Sequence, residues 1–389
     1  MSTEPGAKVL QEVRALAPEI AAQSAAIEEA RTLPPDVVTR LKNAGLFRMF
    51  APRNVGGTEL DLVSGLEVLE ELSRADGATG WATMIASESA HMFVLLPREQ
   101  LNAIYAPSPD VTMGGAFNAQ GTAREVDGGY QVTGRWNFAT GCKHSDWLFG
   151  NCVLLGDDGK PLPGPAPGTV RTRGMLVPAG EGRIMDNWSV LGLRGTGSHD
   201  VVIEAFVPHA RSFDIFMGTP NVEGPTYVVP VLHCALHMGA VALGIAQGAV
   251  DDLMALALTG KKRLYARHAL VDSPVFRNRL GRADTAVRGA RAALRDLGRQ
   301  YWEACNTSPA VAFGLAPQVS ATLTWVTETA AQVVTSCYHS GGASSIRDGA
   351  TLQRRFRDIH TLMQHASVAE GWFTQMGAAL LGFPVLFEA

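Results

Sequence analysis

Two histidines near the end of the chain, His360 and His365, are the first candidates for chemistry. An imidazole has an ordinary pKa of about 6.5, so it can donate or accept a hydrogen bond near neutral pH. The two histidines are five residues apart, or about 140° around a helix, so at most one is expected to face a given site. His365 would share a helix face with Asp358 and Leu362 and point inward. The alternative is a buried helix histidine bonded to a backbone carbonyl.

A second group of candidates lies beside glycines or in short basic runs. Thr196 and Ser198 could present hydroxyls and N–H groups to a ligand, although a tight turn needs the adjacent glycines anyway. Arg263 offers bidentate phosphate recognition, although a run such as 261–263 is commonly just solvated. His233 and His237 have i, i+4 spacing but lack the glutamate of H-E-x-x-H. Packing is therefore favoured over metal binding, and no metal site is expected.

Three kinds of segment would position these residues. Apolar spacing indicates helices over about the first hundred residues. The next hundred residues indicate strands at 147–155, 174–177 and 200–207, with a hairpin turn at Asp127–Gly129. Four long helices, around 231–259, 275–304, 317–339 and 351–380, favour an antiparallel bundle. The predicted domains are 1–111 (helical), 112–222 (a β-barrel-like domain) and 223–389 (a four-helix bundle).

Bulk composition excludes several classes of function. The chain has 389 residues, a net charge of -4 and no basic excess of the kind that nucleic-acid binding requires. No secretory signal or uninterrupted apolar span is apparent, so no membrane partner is expected. The five scattered cysteines include no C-x-x-C pair, which favours free thiols in a reducing cytoplasm.

The order of these segments resembles the acyl-CoA dehydrogenase superfamily, and local motifs in all three domains agree. Gly134–Gly141 resembles the segment in which an aromatic residue, a small residue and a Thr or Ser lie against the flavin ring. Val190–Ser198 looks like the second signature of the β domain. Ser340–Gly342 resembles the glycine-rich turn that approaches the cofactor, and Phe356–Asp358 matches the Tyr-Arg-Asp segment of the last helix.

One departure from the superfamily pattern selects the subfamily. The commonest dehydrogenases carry a carboxylate base about two turns after that Arg-Asp, whereas Ile359–Ala366 contains none and Glu370 comes about a turn too late. The stretch is instead similar to flavin-dependent hydroxylases that receive reduced flavin from a partner reductase. Members of that group oxygenate phenols, aryl sulfur, indole or amino-sugar nitrogen.

The resemblance assigns roles to individual residues. Thr140 would contact flavin N5, or else only satisfy a turn, and His365 would hydrogen-bond a flavin C4a-hydroperoxide. Trp81 and His91 would contact the substrate, with His91 as a general base toward a phenol, unless it serves only in helix packing. The remaining cofactor contacts would be Phe138, Thr196, Ser198, Arg263, Gly341 and Gly342.

The sequence therefore predicts an α+β, mainly helical fold of the acyl-CoA dehydrogenase type. The expected function is the oxygenase component of a two-component flavin monooxygenase. It would use reduced FMN or FAD and O2, through a C4a-hydroperoxide, on a small aromatic or heteroaromatic substrate. The expected partners are an NAD(P)H-dependent flavin reductase and further copies of the chain in a homotetramer. The alternatives are an acyl-CoA dehydrogenase, an amino-sugar N-oxygenase and a non-catalytic flavin-fold protein.

Overall fold

The N-terminal region consists of five helices. The structure, a computed structural model, describes residues 4–216, 218–262 and 266–385. The helices are α1 (Glu4–Ala30), α2 (Pro35–Asn43), α3 (Leu62–Ala75), α4 (Gly77–Phe93) and α5 (Arg98–Tyr105). Asp61 caps α3, and Asp76 caps α4 by accepting from the backbone N–H of Thr79 at 2.8 Å. An aspartate at this position satisfies a backbone donor that the helix leaves unpaired.

The central region is one seven-stranded sheet. Its strands are β1 (Met113–Val126), β2 (Gly129–Trp136), β3 (Trp147–Leu155), β4 (Thr172–Pro178), β5 (Gly182–Met185), β6 (Asp200–Pro208) and β7 (Ser212–Phe213). The order β5-β6-β2-β1-β3-β4-β7 leaves β5 and β7 at the edges, and only the β1–β3 pair is parallel. The hairpin predicted at Asp127–Gly129 is confirmed, with Gly128 at φ +79°.

Trp136 fills the centre of the sheet's own core. It is fully buried, and its indole N–H donates to the carbonyl of Asn151 at 2.7 Å. Gly121, Gly134 and Gly150 leave the space that its ring occupies, since a Cβ on Gly121 would lie 2.1 Å from the ring. Three positions of the sheet therefore lack a side chain, and the Trp136 ring fills the space that they leave.

The C-terminal region is a helical bundle built from α6 (Pro230–Leu258), α7 (Pro274–Thr307), α8 (Pro309–Gly314), α9 (Ala316–Gly341), α10 (Thr351–Leu362) and α11 (Gly371–Leu380). The prediction of one helix over 351–380 is wrong, because α10 ends at Leu362. His365 accepts a hydrogen bond from the backbone N–H of Ser367 and caps a short 3₁₀ turn. This local bond competes with continuation of the α-helix.

Helix α6 is the most apolar element of the bundle. By length and composition it could cross a membrane, but 61% of its most apolar window is buried inside the protein. It packs against α3, α7 and α9. Burial within the protein accounts for its apolar composition, as expected for a core helix of the bundle.

The three regions meet where α10 contacts α1 and the segment before β6. Glu28 of α1 accepts hydrogen bonds from Arg354, at 3.1 Å, and from Arg357. The Arg357 guanidinium also donates to the carbonyl of Leu191 at 2.9 Å. A Cβ on Gly192 would lie 2.2 Å from the Arg357 carbonyl carbon. Charge pairing and close backbone approach therefore fix the segment before β6 against α10.

All five cysteines are free thiols, which confirms that prediction. Burial raises the pKa of all five: to about 11 for Cys142 and Cys305, to about 12 for Cys152 and Cys337, and well above the ordinary value for Cys234. A thiol with so high a pKa is a poor nucleophile at neutral pH. These cysteines are packing residues.

We expect Gly121→Ala to lower the free energy of unfolding by about 1–3 kcal/mol, because the new methyl would overlap the Trp136 ring. Urea denaturation followed by circular dichroism measures the change. Gly180→Ala is the matched control, since no heavy atom lies within 4 Å of the Cβ it would add. Equal stability of the two variants would show that Trp136 does not require a glycine at position 121.

Candidate active site

Three hydroxyl groups from two loops of the β region form a buried chain. Thr140 follows β2, while Thr196 and Ser198 precede β6. The Thr140 and Ser198 hydroxyl oxygens are 2.7 Å apart, and those of Ser198 and Thr196 are 2.8 Å apart. Thr196 also donates to the carbonyl of Leu193 at 2.8 Å. The structure thus brings together three residues that the sequence analysis assigned separately to the cofactor.

Trp81 joins this chain to the turn after α10. Its indole N–H, on α4, donates to the Thr140 hydroxyl at 3.3 Å. Its ring meets His365 edge-on, with 5.7 Å between ring centroids. One helix of the first region, a loop of the sheet and a turn of the last region therefore meet at Trp81.

His365 is held with its Nδ1 as a hydrogen-bond acceptor. Its Nδ1 accepts from the backbone N–H of Ser367 at 3.2 Å. The surrounding protein lowers the pKa of His365 by desolvation, so the neutral ring is favoured at neutral pH. A neutral ring that accepts at Nδ1 carries its proton on Nε2. The side chain itself is accessible in the single chain, as expected for a group in a crevice.

Phe138 gives the site an exposed aromatic surface. Its backbone adopts φ +63°, which is uncommon for a bulky residue and typical of functional positions. The side chain is 59% exposed and meets the Trp188 ring edge-on, with 6.1 Å between centroids. An accessible apolar ring near hydroxyl groups fits a flat heteroaromatic ligand such as the expected flavin.

Asp358 anchors the loop that carries the hydroxyl chain, a role that the sequence analysis did not identify. It is buried and accepts a hydrogen bond from the backbone N–H of Leu193 at 2.6 Å. Burial, and then the nearby Asp76, raise the pKa of Asp358 to about 7. Leu193 has φ +52°, a left-handed conformation that is unfavourable for this residue type. The Arg-Asp motif placed Asp358 on the last helix but gave no sign of this partner.

His91 lies in a different, fully buried cluster. Its ring stacks on that of His233, with 5.4 Å between centroids, and lies 6.1 Å from that of His237. His237 bonds Glu88 at 3.0 Å. Among the described residues, no hydrogen bond or ring contact joins His91 to Trp81, so the geometry favours the packing alternative for His91.

Desolvation favours the neutral form of His91 and His233. It lowers the pKa of His91 well below the ordinary value and that of His233 to about 3, with a smaller contribution from the neighbouring imidazoles. Among the described residues, no group of three or more His, Cys, Asp or Glu side chains is arranged to hold a metal ion. The pair His233 and His237 therefore lacks a third ligand.

His360 points toward the bundle, away from the site around Trp81. It bonds Thr335 on α9 at 3.2 Å and packs on Phe356, with 4.4 Å between centroids. Both histidines were expected on one helix. The structure separates them because α10 ends at Leu362 and His365 lies in the following turn.

The glycine-rich turn lies beside a basic cavity. Gly342 ends α9 at φ +62° and ψ -146°, a conformation that favours glycine. The preceding Ser340 lines a cavity of about 290 Å³, together with Ser273, Arg267, His268 and Arg279. Arg263, predicted to bind phosphate, lies outside the described residues.

Both family models and individual known proteins match this chain. Residues 3–107 match the family model "Acyl-CoA dehydrogenase, N-terminal domain", and residues 236–370 match "Acyl-CoA dehydrogenase, C-terminal domain". The chain is 28% identical to indole-3-acetate monooxygenase of Pseudomonas putida, over 91% of this chain and 89% of that protein. It is also 28% identical to the flavin-dependent monooxygenase oxygenase subunit HsaA of Rhodococcus jostii, over 97% and 99%.

A solved structure shows the same architecture. The crystal structure of 3-HSA hydroxylase from Rhodococcus sp. RHA1 superposes with a TM-score of 0.89 at 26% identity. The match covers 97% of this chain and 98% of that one. The predicted fold class is confirmed.

We expect the free energy of unfolding to fall as the pH is lowered from 6.5 toward 4. The folded state depresses the pKa of His233 to about 3, so the unfolded chain binds more protons in this range. The stabilisation is thus present above pH 6.5 and is lost as the pH falls. Each histidine whose pKa is lowered by folding changes the free energy of unfolding by up to about 1.4 kcal/mol per pH unit. Urea titrations at several pH values measure this slope.

His233→Phe should reduce this slope, because phenylalanine keeps a ring at the position but cannot bind a proton. His209→Gln is the control, since His209 is exposed in the turn after β6. An unchanged slope in His233→Phe would show that protonation of the buried cluster does not govern acid stability.

Proposed function

The chain belongs to the acyl-CoA dehydrogenase family, and we propose that it works there as the oxygenase component of a two-component flavin-dependent monooxygenase. The single observation that carries this proposal is the group formed by Trp81, Thr140 and His365. It places one hydrogen-bond acceptor and one donor beside an exposed aromatic ring, and it contains no carboxylate among the described residues. Relatives over nearly the whole chain are named as monooxygenases of this type.

An acyl-CoA dehydrogenase is disfavoured by the position of the carboxylates. Glu370 is exposed at the start of α11. Asp358 is buried against the backbone of Leu193. In the described part of the chain, the side chains that Trp81 meets by hydrogen bond or ring contact are those of Thr140 and His365, and neither is a carboxylate. A base that removes a substrate α-proton therefore has no candidate beside Trp81 in the described part of the chain.

The residues at the site fit reduced flavin, whose chemistry when bound is to deliver electrons to O2. Phe138 provides an aromatic surface for the ring system, and Thr140 provides a hydroxyl for a polar ring atom. His365, with Nδ1 accepting from Ser367, offers an Nε2–H donor for a negatively charged or lone-pair-bearing oxygen. Because none of these groups is charged at neutral pH, the site can exclude water without leaving a buried charge unpaired.

The substrate proposed is a small aromatic or heteroaromatic molecule. One relative is named for indole-3-acetate, an aromatic acid. On α4, Ile85 lies one turn after Trp81 and is the residue of that helix that is only partly buried. An apolar side chain next to the indole suits an aromatic ring better than an amino sugar, which needs several polar partners. His91 is not included in the proposed machinery.

The phosphate end of the flavin is assigned to the basic cavity beside the glycine-rich turn. Arg267 and Arg279 line it, and Ser273 there caps the start of α7. Guanidinium groups and a helix N-terminus both favour a phosphate group. This assignment supports either FMN or FAD, since both carry a phosphate.

A homotetramer is proposed because the single chain leaves apolar surface uncovered next to the site. Helix α11 has a mostly apolar sequence but no buried residue, and Leu380 and Leu381 are each 75% exposed. Trp372 of this helix bonds the carbonyl of Ala366, next to His365. A further copy covering α11 would therefore also cover the His365 turn. Sedimentation velocity that gives only a monomer would contradict this assembly.

A reductase partner and a cytoplasmic location are also proposed. A separate NAD(P)H-dependent reductase would supply the reduced flavin, as the name "oxygenase subunit" of one relative implies for that protein. A cytoplasmic location is in keeping with five free thiols.

The proposed function predicts incorporation of one atom of ¹⁸O₂ into an aromatic substrate. The assay combines the full chain, an NADH-dependent flavin reductase, FMN or FAD, and a panel of phenols and indoles, with mass spectrometry as the readout. Acyl-CoA thioesters should not bleach the bound oxidised flavin. Bleaching by a thioester, with no oxygen incorporation from the panel, would establish a dehydrogenase instead.

We expect His365→Ala to bind flavin almost as well as the wild type but to release about ten times more hydrogen peroxide per NADH consumed. Loss of the Nε2–H donor removes a contact of the general acid-base type, and such contacts contribute at least a factor of about 100 when fully used. His360→Ala is the matched control, because His360 bonds Thr335 in the bundle. Equal peroxide release from the two variants would remove His365 from the reaction.

A further inference from the structure

We propose that His199 is a positioning residue of the candidate site, and that it holds the loop between β5 and β6 in place only while its imidazole is neutral. This loop carries His199 and Trp188, and Trp188 packs against Phe138 in the loop after β2. The identity of the ligand on Phe138 rests on the proposed function. The contacts of His199 itself lie within the chain and can be tested without a ligand.

The His199 ring accepts a hydrogen bond from a buried backbone group. The side chain is fully buried, and its Nδ1 accepts from the backbone N–H of Trp188 at 3.0 Å. Trp188 is buried as well, and a buried backbone N–H is rarely left without a partner. An imidazole nitrogen can accept only while it carries no proton. This bond therefore requires the neutral ring, with its proton on Nε2.

Trp188 connects His199 to the aromatic surface of the site. Its ring meets that of Phe138 edge-on, with 6.1 Å between centroids, and its indole N–H donates to the Leu193 carbonyl at 3.4 Å. The His199 carbonyl also accepts from the backbone N–H of Ala139, next to Phe138, at 3.1 Å. His199 therefore contacts both loops, and its ring bond fixes the residue against which Phe138 packs.

A second partner for the same ring nitrogen lies close by. The carboxylate of Asp186 is 3.6 Å from Nδ1 of His199. The Trp188 N–H is a donor and needs a nitrogen without a proton, whereas the Asp186 carboxylate is an acceptor and needs a protonated nitrogen. Nδ1 cannot serve both partners at once. Protonation of the ring therefore exchanges Trp188 for Asp186 and frees the backbone that supports Phe138.

The charged and titratable groups around His199 come from three other segments. Arg31 follows α1, Lys143 and Cys142 lie in the turn after β2, and Asp186 follows β5. Desolvation, and then the cations Lys143 and Arg31, lower the pKa of His199. Asp186 and the Arg31 backbone oppose this effect without reversing it. The Cys142 thiol stays protonated, because burial raises its pKa to about 11. The ring is therefore neutral at neutral pH and gains its proton below the ordinary value of about 6.5.

The test measures the dissociation constants of reduced FMN and reduced FAD, under anaerobic conditions, from pH 8 to pH 4.5 for wild type and His199→Asn. The asparagine amide oxygen can accept from the Trp188 N–H and is not protonated in this range. Wild type should lose about two- to tenfold in affinity relative to His199→Asn as the pH falls, the size of one hydrogen bond. Every other titrating group is shared by the two proteins and cancels in the ratio. A ratio that is independent of pH would overturn the proposal.

A variant without an acceptor gives the opposite result. His199→Leu should bind reduced flavin about two- to tenfold more weakly than His199→Asn at pH 8, because the Trp188 N–H has no partner. His209→Gln is the matched control, since His209 is exposed in the turn after β6, and it should keep the pH dependence of wild type. Equal affinity of His199→Leu and His199→Asn at pH 8 would also overturn the proposal. If His199→Leu does not fold, the comparison with His199→Asn decides alone.

The role of Asp186 has its own comparison. Asp186→Asn should lower the pH at which the affinity of the otherwise wild-type protein falls, because the carboxylate no longer stabilises the protonated ring. Asp296→Asn is the matched control, since Asp296 is an exposed carboxylate that pairs with Arg299 at 2.8 Å on α7. An unchanged midpoint in Asp186→Asn would contradict the exchange of partners at Nδ1.

A further readout needs no flavin. In protein with ¹⁵N-labelled tryptophan, the backbone N–H resonance of Trp188, identified with Trp188→Phe, should shift as the pH falls below 6.5. The same resonance should not shift in His199→Asn, and a resonance that is independent of pH in wild type would overturn the proposal. If wild type binds neither reduced flavin, the proposed function fails while this resonance still decides the role of His199.

Discussion

The hydrogen bond from the Leu193 backbone to the buried carboxyl of Asp358 is the contact on which the site depends. It joins α10 to the segment before β6, and that segment carries Thr196 and Ser198. Asp358 also lies beside Asp76, the residue that starts α4, and α4 carries Trp81. Elements distant in sequence are thus held together at one buried carboxyl group.

Burial of two carboxyl groups so close together has a consequence for charge. The pKa of Asp358 is raised to about 7, so near neutral pH it exchanges between a neutral and a charged form. Protonation relieves repulsion with Asp76, while the charged form accepts the bond from Leu193 more strongly. The hydrogen bond between Asp358 and Leu193 can therefore form in both protonation states of Asp358. No unpaired charge has to be fully buried.

The polar side chains of the candidate site, Trp81, Thr140 and His365, are neutral at neutral pH. The Thr140 hydroxyl accepts from the Trp81 indole N–H, Thr196 of the same hydroxyl chain donates to the Leu193 carbonyl, and His365 accepts from the Ser367 N–H. Backbone groups within folded elements have little freedom to reorient. Such preorganisation is what an oxygen-activating site needs, because polar groups that turned freely would admit water.

The sequence by itself determined the fold class, the order of the three regions and most of the strands and helices, because alternation, glycine turns and helix caps act within a few residues. It also placed Thr140, Thr196 and Ser198 in motifs. Only the tertiary structure decided which residues meet. It ended α10 before His365, separated His360 and His91 from Trp81, and paired Asp358 with Leu193. The Asp358–Leu193 contact joins residues 165 positions apart. Local sequence patterns cannot specify such contacts, because they arise from packing between domains.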